Sequence, residues 1–169
     1  VRLNYEGSLV EDGEVFDSTV NPTEFDLAGL IPGWSQVIPK FNTAESFMFN
    51  GDGTVGYTNF GVGVMFLPSG LGYYSAGTAG IGPYKCLAFK FDLLQSELND
   101  HDGDGIPSYA EDLNGDVFAT NDDTDEDELP NFLDSDDDND GVNTIDELLP
   151  NEYIVDTNMG DPEPTLGAG

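Results

Sequence analysis

Acidic residues recur at alternate positions in the C-terminal third of the chain, a spacing that suits a hard cation. A twelve-residue calcium loop takes oxygens from positions 1, 3, 5, 7, 9 and 12, with position 7 giving its backbone carbonyl. Counted from Asp100, these are Asp100, Asp102, Asp104, Ile106, Ser108 and Glu111, with Gly105 at the sharp turn of position 6. From Asp136 they are Asp136, Asp138, Asp140, Val142, Thr144 and Glu147, with Gly141 at position 6. From Asp123 they are Asp123, Asp125, Asp127, Leu129, Asn131 and Asp134, where Glu128 replaces the glycine. A weaker fourth register, Asp112, Asn114, Asp116, Phe118, Thr120 and Asp123, shares Asp123 with its neighbour. The spacing predicts structural Ca²⁺ in this region rather than a solvated acidic linker. His101 falls at a non-ligand position and reads as a surface residue.

The first 98 residues contain no comparable chemistry. They have no His, no nucleophile elbow, no phosphate-cradling glycine loop and no Cys/His pair. Cys86 is alone, which excludes an intrachain disulfide and a multi-cysteine zinc site. What they do contain is aromatic side chains, 15 of the 19 in the chain.

Charge divides the chain at the same place. The net charge is −30, and all four bases (Arg2, Lys40, Lys85, Lys90) precede residue 99. Residues 1–98 carry a net −7 and residues 99–169 a net −23. So anionic a surface repels phosphate backbones and anionic lipid headgroups, which excludes nucleic acid and basic-patch membrane binding. No run of 18 apolar residues exists to span a bilayer. A boundary is expected near residue 98: a domain over 1–98, calcium repeats over 99–149, and a linker over 150–169. The first part can bury large side chains, whereas the scattered apolar residues of the second cannot build a core unaided.

Strand signals dominate the first part. They cover Val1-Arg2-Leu3-Asn4-Tyr5, Val15-Phe16, Phe47-Met48-Phe49, Val64-Met65-Phe66-Leu67, and Cys86 to Phe91. Asn50-Gly51-Asp52-Gly53 reads as a hairpin tip. Only Gly33 to Lys40 has room for a helix, and Pro39 limits it. An opening strand at residue 1 with no earlier partner suggests a domain that begins before Val1, and any targeting leader is expected outside residues 1–169.

The order of motifs resembles the FKBP-type peptidyl-prolyl isomerases over about residues 1–97. Tyr5-Glu6-Gly7-Ser8-Leu9, Asp12-Gly13-Glu14-Val15-Phe16-Asp17-Ser18, Leu30-Ile31-Pro32-Gly33-Trp34, Pro68 to Tyr73, and Phe89-Lys90-Phe91-Asp92-Leu93-Leu94 follow that family's sequence of Y-x-G-x-L, DG-x-x-FDS, V-I-x-G-W, P-x-x-x-x-Y and F-x-V-x-L-L. The resemblance implies an α+β fold, an antiparallel half-barrel around one short helix starting near Trp34. It implies isomerase activity on X–Pro bonds of proline-containing polypeptide clients, with no catalytic cofactor. It places the pocket on Tyr5, Phe16, Phe25, Trp34, Tyr73 and Phe89, with Leu30, Ile31 and Ile81 as aliphatic walls, Asp17 as the pocket carboxylate and the Ile31 N–H as a donor to a substrate carbonyl.

Some positions depart from that pattern. No Arg follows Asp17, the stretch before Leu30 is short, Tyr74 stands where Gly is usual, and the link from Phe41 to Val64 is long enough for an extra hairpin. Low turnover is therefore expected, and a non-catalytic proline-peptide-binding module on a calcium-rigidified spacer is the alternative. The Asp-rich loops, with Gly105-Ile106-Pro107 in the first, look like bacterial relatives of thrombospondin type 3 repeats, which implies an irregular, calcium-stabilised tail. Pro107 and Pro130, at position 8, disfavour a helix after their loops. Loops of this kind bind at roughly 10⁻⁴–10⁻³ M, so they fill outside the cytosol. A monomer in the periplasm or at the cell surface is expected, with a lipoprotein anchor on a preceding segment as one means of attachment.

Overall fold

The computed structural model describes residues 1–148. The described residues divide into two compact units, Val1–Glu97 and a second that begins at Leu98.

The first unit is built on an antiparallel sheet whose strand order is Val15–Ser18 (β2), Arg2–Leu9 (β1), Leu87–Gln95 (β7), Gly61–Leu67 (β6), with Thr23–Glu24 (β3) also pairing with β1. Strands Ser46–Phe49 (β4) and Val55–Thr58 (β5) form a separate hairpin. Burial alternates along β6, with Gly63, Met65 and Leu67 inside and Val62, Val64 and Phe66 outside. Along β7, Leu87, Phe89, Phe91 and Leu93 face inward, as the period of two in a pleated strand requires. The inner faces bury Leu3, Leu9, Met65, Leu67, Leu87, Phe89, Phe91 and Leu93 against Trp34 and Ile38.

Those last two residues come from the helical segment that packs on the sheet. Helix α1 (Pro32–Val37) starts with Pro at its first turn, where the missing N–H costs nothing. Ile31 before it is extended (φ −60°, ψ 144°), the conformation a residue preceding proline prefers. Pro39 stops the α-helix, and Ile38–Lys40 close it as a 3₁₀ turn. Gly33 lets the helix lie flat on the sheet, since a Cβ there would sit 2.4 Å from Leu67 Cδ1.

The Phe47-Met48-Phe49 strand lies off the main sheet because its partner is local. Asn50 N–H donates to Thr54 O (2.8 Å) and Thr54 N–H to Asp52 Oδ1 (3.0 Å), closing the tip of the β4–β5 hairpin. Phe47, Met48 and Phe49 are consequently exposed. The short strands β3 and β5 carry no alternating pattern long enough to be read in advance.

Among the described residues, the second unit is a string of turns with one short α-helix, α2 (Thr144–Leu148). After Pro107 the chain makes a turn and after Pro130 only a 3₁₀ turn (Asn131–Leu133); the loop with Asn143 in the corresponding place is followed by α2. Among the described residues its buried side chains are Phe132 and six polar or charged residues, Asp104, Ser108, Glu111, Asp122, Asn131 and Thr144. The expected linker over 150–169 lies outside the described residues.

Candidate functional site

Five aromatic rings meet where β1, β2, β7 and α1 converge. Tyr5 packs edge-on against Trp34 (ring centroids 5.3 Å apart) and Phe25 (5.7 Å). Phe89 packs edge-on against Trp34 (5.2 Å) and Phe16 (5.7 Å). Edge-to-face contacts of this kind fix ring orientation as well as burying area. Trp34 and Phe89 form the buried floor, while Tyr5, Phe16 and Phe25 are half-buried.

The floor depends on a missing methyl group. Gly7 pairs with Phe89 across β1–β7, and a Cβ on Gly7 would come within 2.7 Å of the rings of both Phe16 and Phe89. Real Cβ atoms do not approach so closely, so the two rings occupy space that glycine alone leaves open.

Polar groups sit at the rim. Asp17 follows Phe16 on β2 and is exposed. Its Oδ2 accepts a hydrogen bond from the Tyr5 hydroxyl and its Oδ1 one from Ser18 N–H (2.9 Å). Burial first, and then the bond to Asp17, push the Tyr5 phenol well above its ordinary range, so it stays a neutral donor. Leu30, Ile31 and Tyr73 are half-buried against the core and Ile81 is buried within it. Ile31 caps α1 and its carbonyl accepts from Trp34 N–H (2.9 Å). A mutual pair of 2.9 Å backbone bonds between Thr78 and Ile81 fixes the Ile81 turn. Of the ten residues read from the sequence as the pocket, Tyr5, Phe16, Phe25, Trp34 and Phe89 meet through ring contacts and Asp17 joins them through Tyr5, while Leu30, Ile31, Tyr73 and Ile81 belong to the wider core on which they pack. Leu27 and Leu71 pack against the same cluster. Sequence reading missed them, since a lone Leu in a turn carries no periodic signal. Tyr74 adopts φ 44°, a left-handed conformation that favours glycine, and its ring packs on Tyr84.

The second unit repeats one local design. In all four registers the carboxylate at position 1 accepts the N–H of position 6: Gly105 to Asp100, Val117 to Asp112, Glu128 to Asp123 and Gly141 to Asp136. The side chain at position 3 accepts from the N–H of position 5, and the one at position 5 from that of position 7. Position 6 has positive φ in every loop, glycine or not: Gly105 97°, Val117 77°, Glu128 78° and Gly141 93°. Three loops gather a carboxylate triplet whose oxygens lie within 4.8 Å of one another: Asp100/Asp102/Asp104, Asp123/Asp125/Asp127 and Asp136/Asp138/Asp140.

Position 9 closes the ring by bonding the backbone. Ser108, Asn131 and Thr144 each accept, through a side-chain oxygen, from the N–H of position 2 (His101, Thr124 and Asp137). Their own N–H groups donate to the carbonyls of Asn99, Asp122 and Ser135, all at 2.9 Å. Ile106, Leu129 and Val142 stand at position 7 with their N–H groups bonded to the Asp two residues before. At position 12, Glu111 is buried, Asp134 is half-buried with Oδ1 bonded to Asp136 N–H, and Glu147 is exposed on α2. His101 stacks edge-on against Phe132 (5.4 Å).

Whether these residues suit a cation is tested by their unsatisfied oxygens. Asp102, Asp104, Glu111, Asp122, Asp125, Asp136 and Asp137 each have at least one buried carboxylate oxygen with no hydrogen-bond partner. Burial, and then the charges of Asp102, Asp104, Asp137 and Asp100, push the Glu111 carboxyl up to about 8. Burial, followed by Asp104 and Asp102, pushes Asp137 up to about 6. A buried anion surrounded by anions is costly unless paired with positive charge. The donor set is all oxygen, so it fits a hard cation such as Ca²⁺.

Among the described residues, no helix is long and apolar enough to cross a membrane. Residues 101–159 match the family model described as BamM C-terminal. The chain is similar to the FKBP-type peptidyl-prolyl cis-trans isomerase FkpA of Aeromonas hydrophila, at 33% identity over 107 residues (62% of this chain, 34% of that one). To the FKBP-type 22 kDa peptidyl-prolyl cis-trans isomerase of Escherichia coli K12 it is 31% identical over 99 residues (56% of this chain, 40% of that one). The crystal structure of FkpA from Escherichia coli aligns with 56% of this chain and 38% of that chain, at 31% identity and a TM-score of 0.45. The chain thus spans between a third and two-fifths of the length of these curated relatives. Residues 1–94 match the model described as FKBP-type peptidyl-prolyl cis-trans isomerase, and on that match the chain belongs to this family.

Proposed function

We propose that residues 1–97 catalyse cis–trans isomerisation of X–Pro bonds in extracytoplasmic polypeptides, and that the following repeats, similar to thrombospondin type 3 repeats, are a calcium-rigidified spacer. The observation that carries the first part is the cluster of Tyr5, Phe16, Phe25, Trp34 and Phe89 with Asp17 bonded to Tyr5 at its rim.

Rotation about an X–Pro amide breaks no covalent bond. Its barrier is the lost C–N resonance, about 18–20 kcal/mol, and unassisted it takes tens to about hundreds of seconds. The twisted amide is less charge-separated than the planar one, so an apolar pocket that excludes water favours the twisted form. In this reading Trp34 and Phe89 receive the proline ring, and Phe16 and Phe25 flank it. The Ile31 N–H and the Tyr73 hydroxyl hold substrate carbonyls. The Tyr5–Asp17 bond holds the rim in place. No acid–base or covalent group is needed, in keeping with the lack of His in residues 1–98.

Support for the spacer comes from the orphaned buried carboxylates and the repeated loop design. Affinities of roughly 10⁻⁴–10⁻³ M suit a compartment outside the cytosol. Proline-containing clients and a monomeric state complete the reading.

A protease-free assay of cis-to-trans conversion in a short X–Pro peptide tests the enzyme. Acceleration at micromolar protein is expected. Tyr5→Phe should lower kcat/KM about fivefold, the worth of a ~1 kcal/mol hydrogen bond, while leaving the melting temperature within about 2 °C. Binding of the peptide with no acceleration would instead make the domain a non-catalytic proline-peptide module, the reading that the missing Arg after Asp17 and the strained Tyr74 favour.

A further inference from the structure

The loop triplets do not account for every carboxylate that the tail gathers. Asp104, Glu111 and Asp137 bring one oxygen each to within 4.8 Å of one another. Asp104 and Glu111 belong to the first loop. Asp137 belongs to the last, at position 2, a place that the twelve-residue pattern gives to no ligand.

Asp104 and Glu111 are buried, Asp137 is half-buried, and all three are unsatisfied. Asp104 is 0% exposed and Glu111 2%. Both Glu111 oxygens, Asp104 Oδ2 and Asp137 Oδ1 lack a hydrogen-bond partner. The only positively chargeable side chain from residue 99 onward is His101, whose Nδ1 is bonded to Ser108 Oγ (2.7 Å). Asp137 is held in place by its own backbone, whose N–H donates to Thr144 Oγ1 (3.3 Å).

Charge then sets the number of ions. The carboxylates of Asp100, Asp102, Asp104, Glu111 and Asp137 make two triplets that share Asp104. One divalent ion would leave this partly buried group three negative charges, whereas two ions leave one. Buried charge without compensation costs several kcal/mol per ion, so the second ion is favoured.

We infer that Asp104, Glu111 and Asp137 form an inter-loop calcium site, in which Asp104 bridges its ion to that of the first loop. It rests on the calcium reading of the loops and goes beyond it, because the ion ties the first loop to the last across 33 residues of chain (Asp104 to Asp137). Oxygen donors alone suit Ca²⁺, which takes about 6–8 oxygens, better than zinc.

The test is calcium titration calorimetry on the full chain, combined with hydrogen exchange read over residues 104–111. Asp137→Asn should bind one ion fewer than the wild type and lose the calcium-dependent protection of residues 104–111, although the substitution lies in another loop. Glu111→Gln, chosen in case the first variant misfolds, should do the same. Asp125→Asn, in a triplet of its own, should weaken one site and leave protection at 104–111 unchanged. A full ion count in both Asp137→Asn and Glu111→Gln, or loss of protection confined to the last loop in Asp137→Asn, overturns the inter-loop site and leaves the loop sites standing. No calcium uptake by the wild type overturns both.

Discussion

Residues 1–97 bury Leu, Ile, Met, Phe and Trp, whereas residues 98–148 bury Asp, Glu, Ser, Asn and Thr around a single large apolar side chain, Phe132. Each apolar side chain of the first unit gains roughly 1.5–3 kcal/mol by leaving water, and needs no partner beyond its neighbours. Each carboxylate of the second loses on burial unless positive charge meets it. The first unit therefore carries its cohesion in its own sequence. On the proposed calcium reading the second draws its cohesion from ions in the solution, and the two should respond oppositely to the same treatments.

The largest expected effect is from a chelator at neutral pH. Removing calcium should unfold residues 98–148 while leaving the melting of residues 1–97 unchanged, read by circular dichroism and limited proteolysis. A tail that resists the chelator would erase the contrast. Next comes Gly7→Ala, which should act only on the apolar unit. The added methyl must displace Phe16 and Phe89, at a cost of about 1–3 kcal/mol, and should lower isomerase activity tenfold or more. Gly70→Ala, with nothing within 4 Å of the new methyl, is the neutral control in urea melts and in the assay.

The pH dependence is smaller and of definite sign. The Glu111 and Asp137 carboxyls are raised in the folded tail to about 8 and about 6, above ordinary values of 4.5 and 3.8. The stability they contribute without calcium is full below their unfolded values and is lost as pH rises through about 6 and then about 8. The calcium-free tail, unfolded by the chelator at neutral pH, should therefore regain structure as pH falls toward 5. Calcium must displace those protons, so its affinity should rise from pH 5 to pH 8. Calorimetry across that range checks both, and a flat profile would show that these groups are not buried together. The smallest change is Val117→Gly, which relieves a β-branched residue at φ 77° and should stabilise the calcium-loaded tail by about 1 kcal/mol, seen as a modest rise in melting temperature.

What could be read from the sequence differs between the units for the same physical reason. The apolar runs Val64–Leu67 and Cys86–Phe91 mark β6 and β7, but their full extents and the face each buries appear only in the alternating burial of the folded strands. The ring cluster is legible only through the order of motifs. Tyr5, Phe16, Phe25, Trp34 and Phe89 share no period, and only the sheet with the helix packed on it brings them together. The loop ligands are legible because one loop holds them all. Asp137 is not, since its partners Asp104 and Glu111 lie 33 and 26 residues away and no local spacing records that approach. Position 9 reads as a ligand from spacing, but Ser108, Asn131 and Thr144 bond the backbone of position 2, a use that only the closed ring reveals.

The pairing of β1 with β7 also governs timing. Arg2 stands opposite Gln95 and Leu3 opposite Leu93, so the two middle strands of the sheet come from opposite ends of the first unit. Sheets closed by such distant segments fold slowly, because the loop entropy is lost before the contacts reward it. A nascent chain ending before Leu87 lacks the strand that carries Phe89, and with it the pocket floor. During synthesis the domain must wait, unfolded, until nearly all of its residues have emerged, and only then can the sheet zip shut around Trp34.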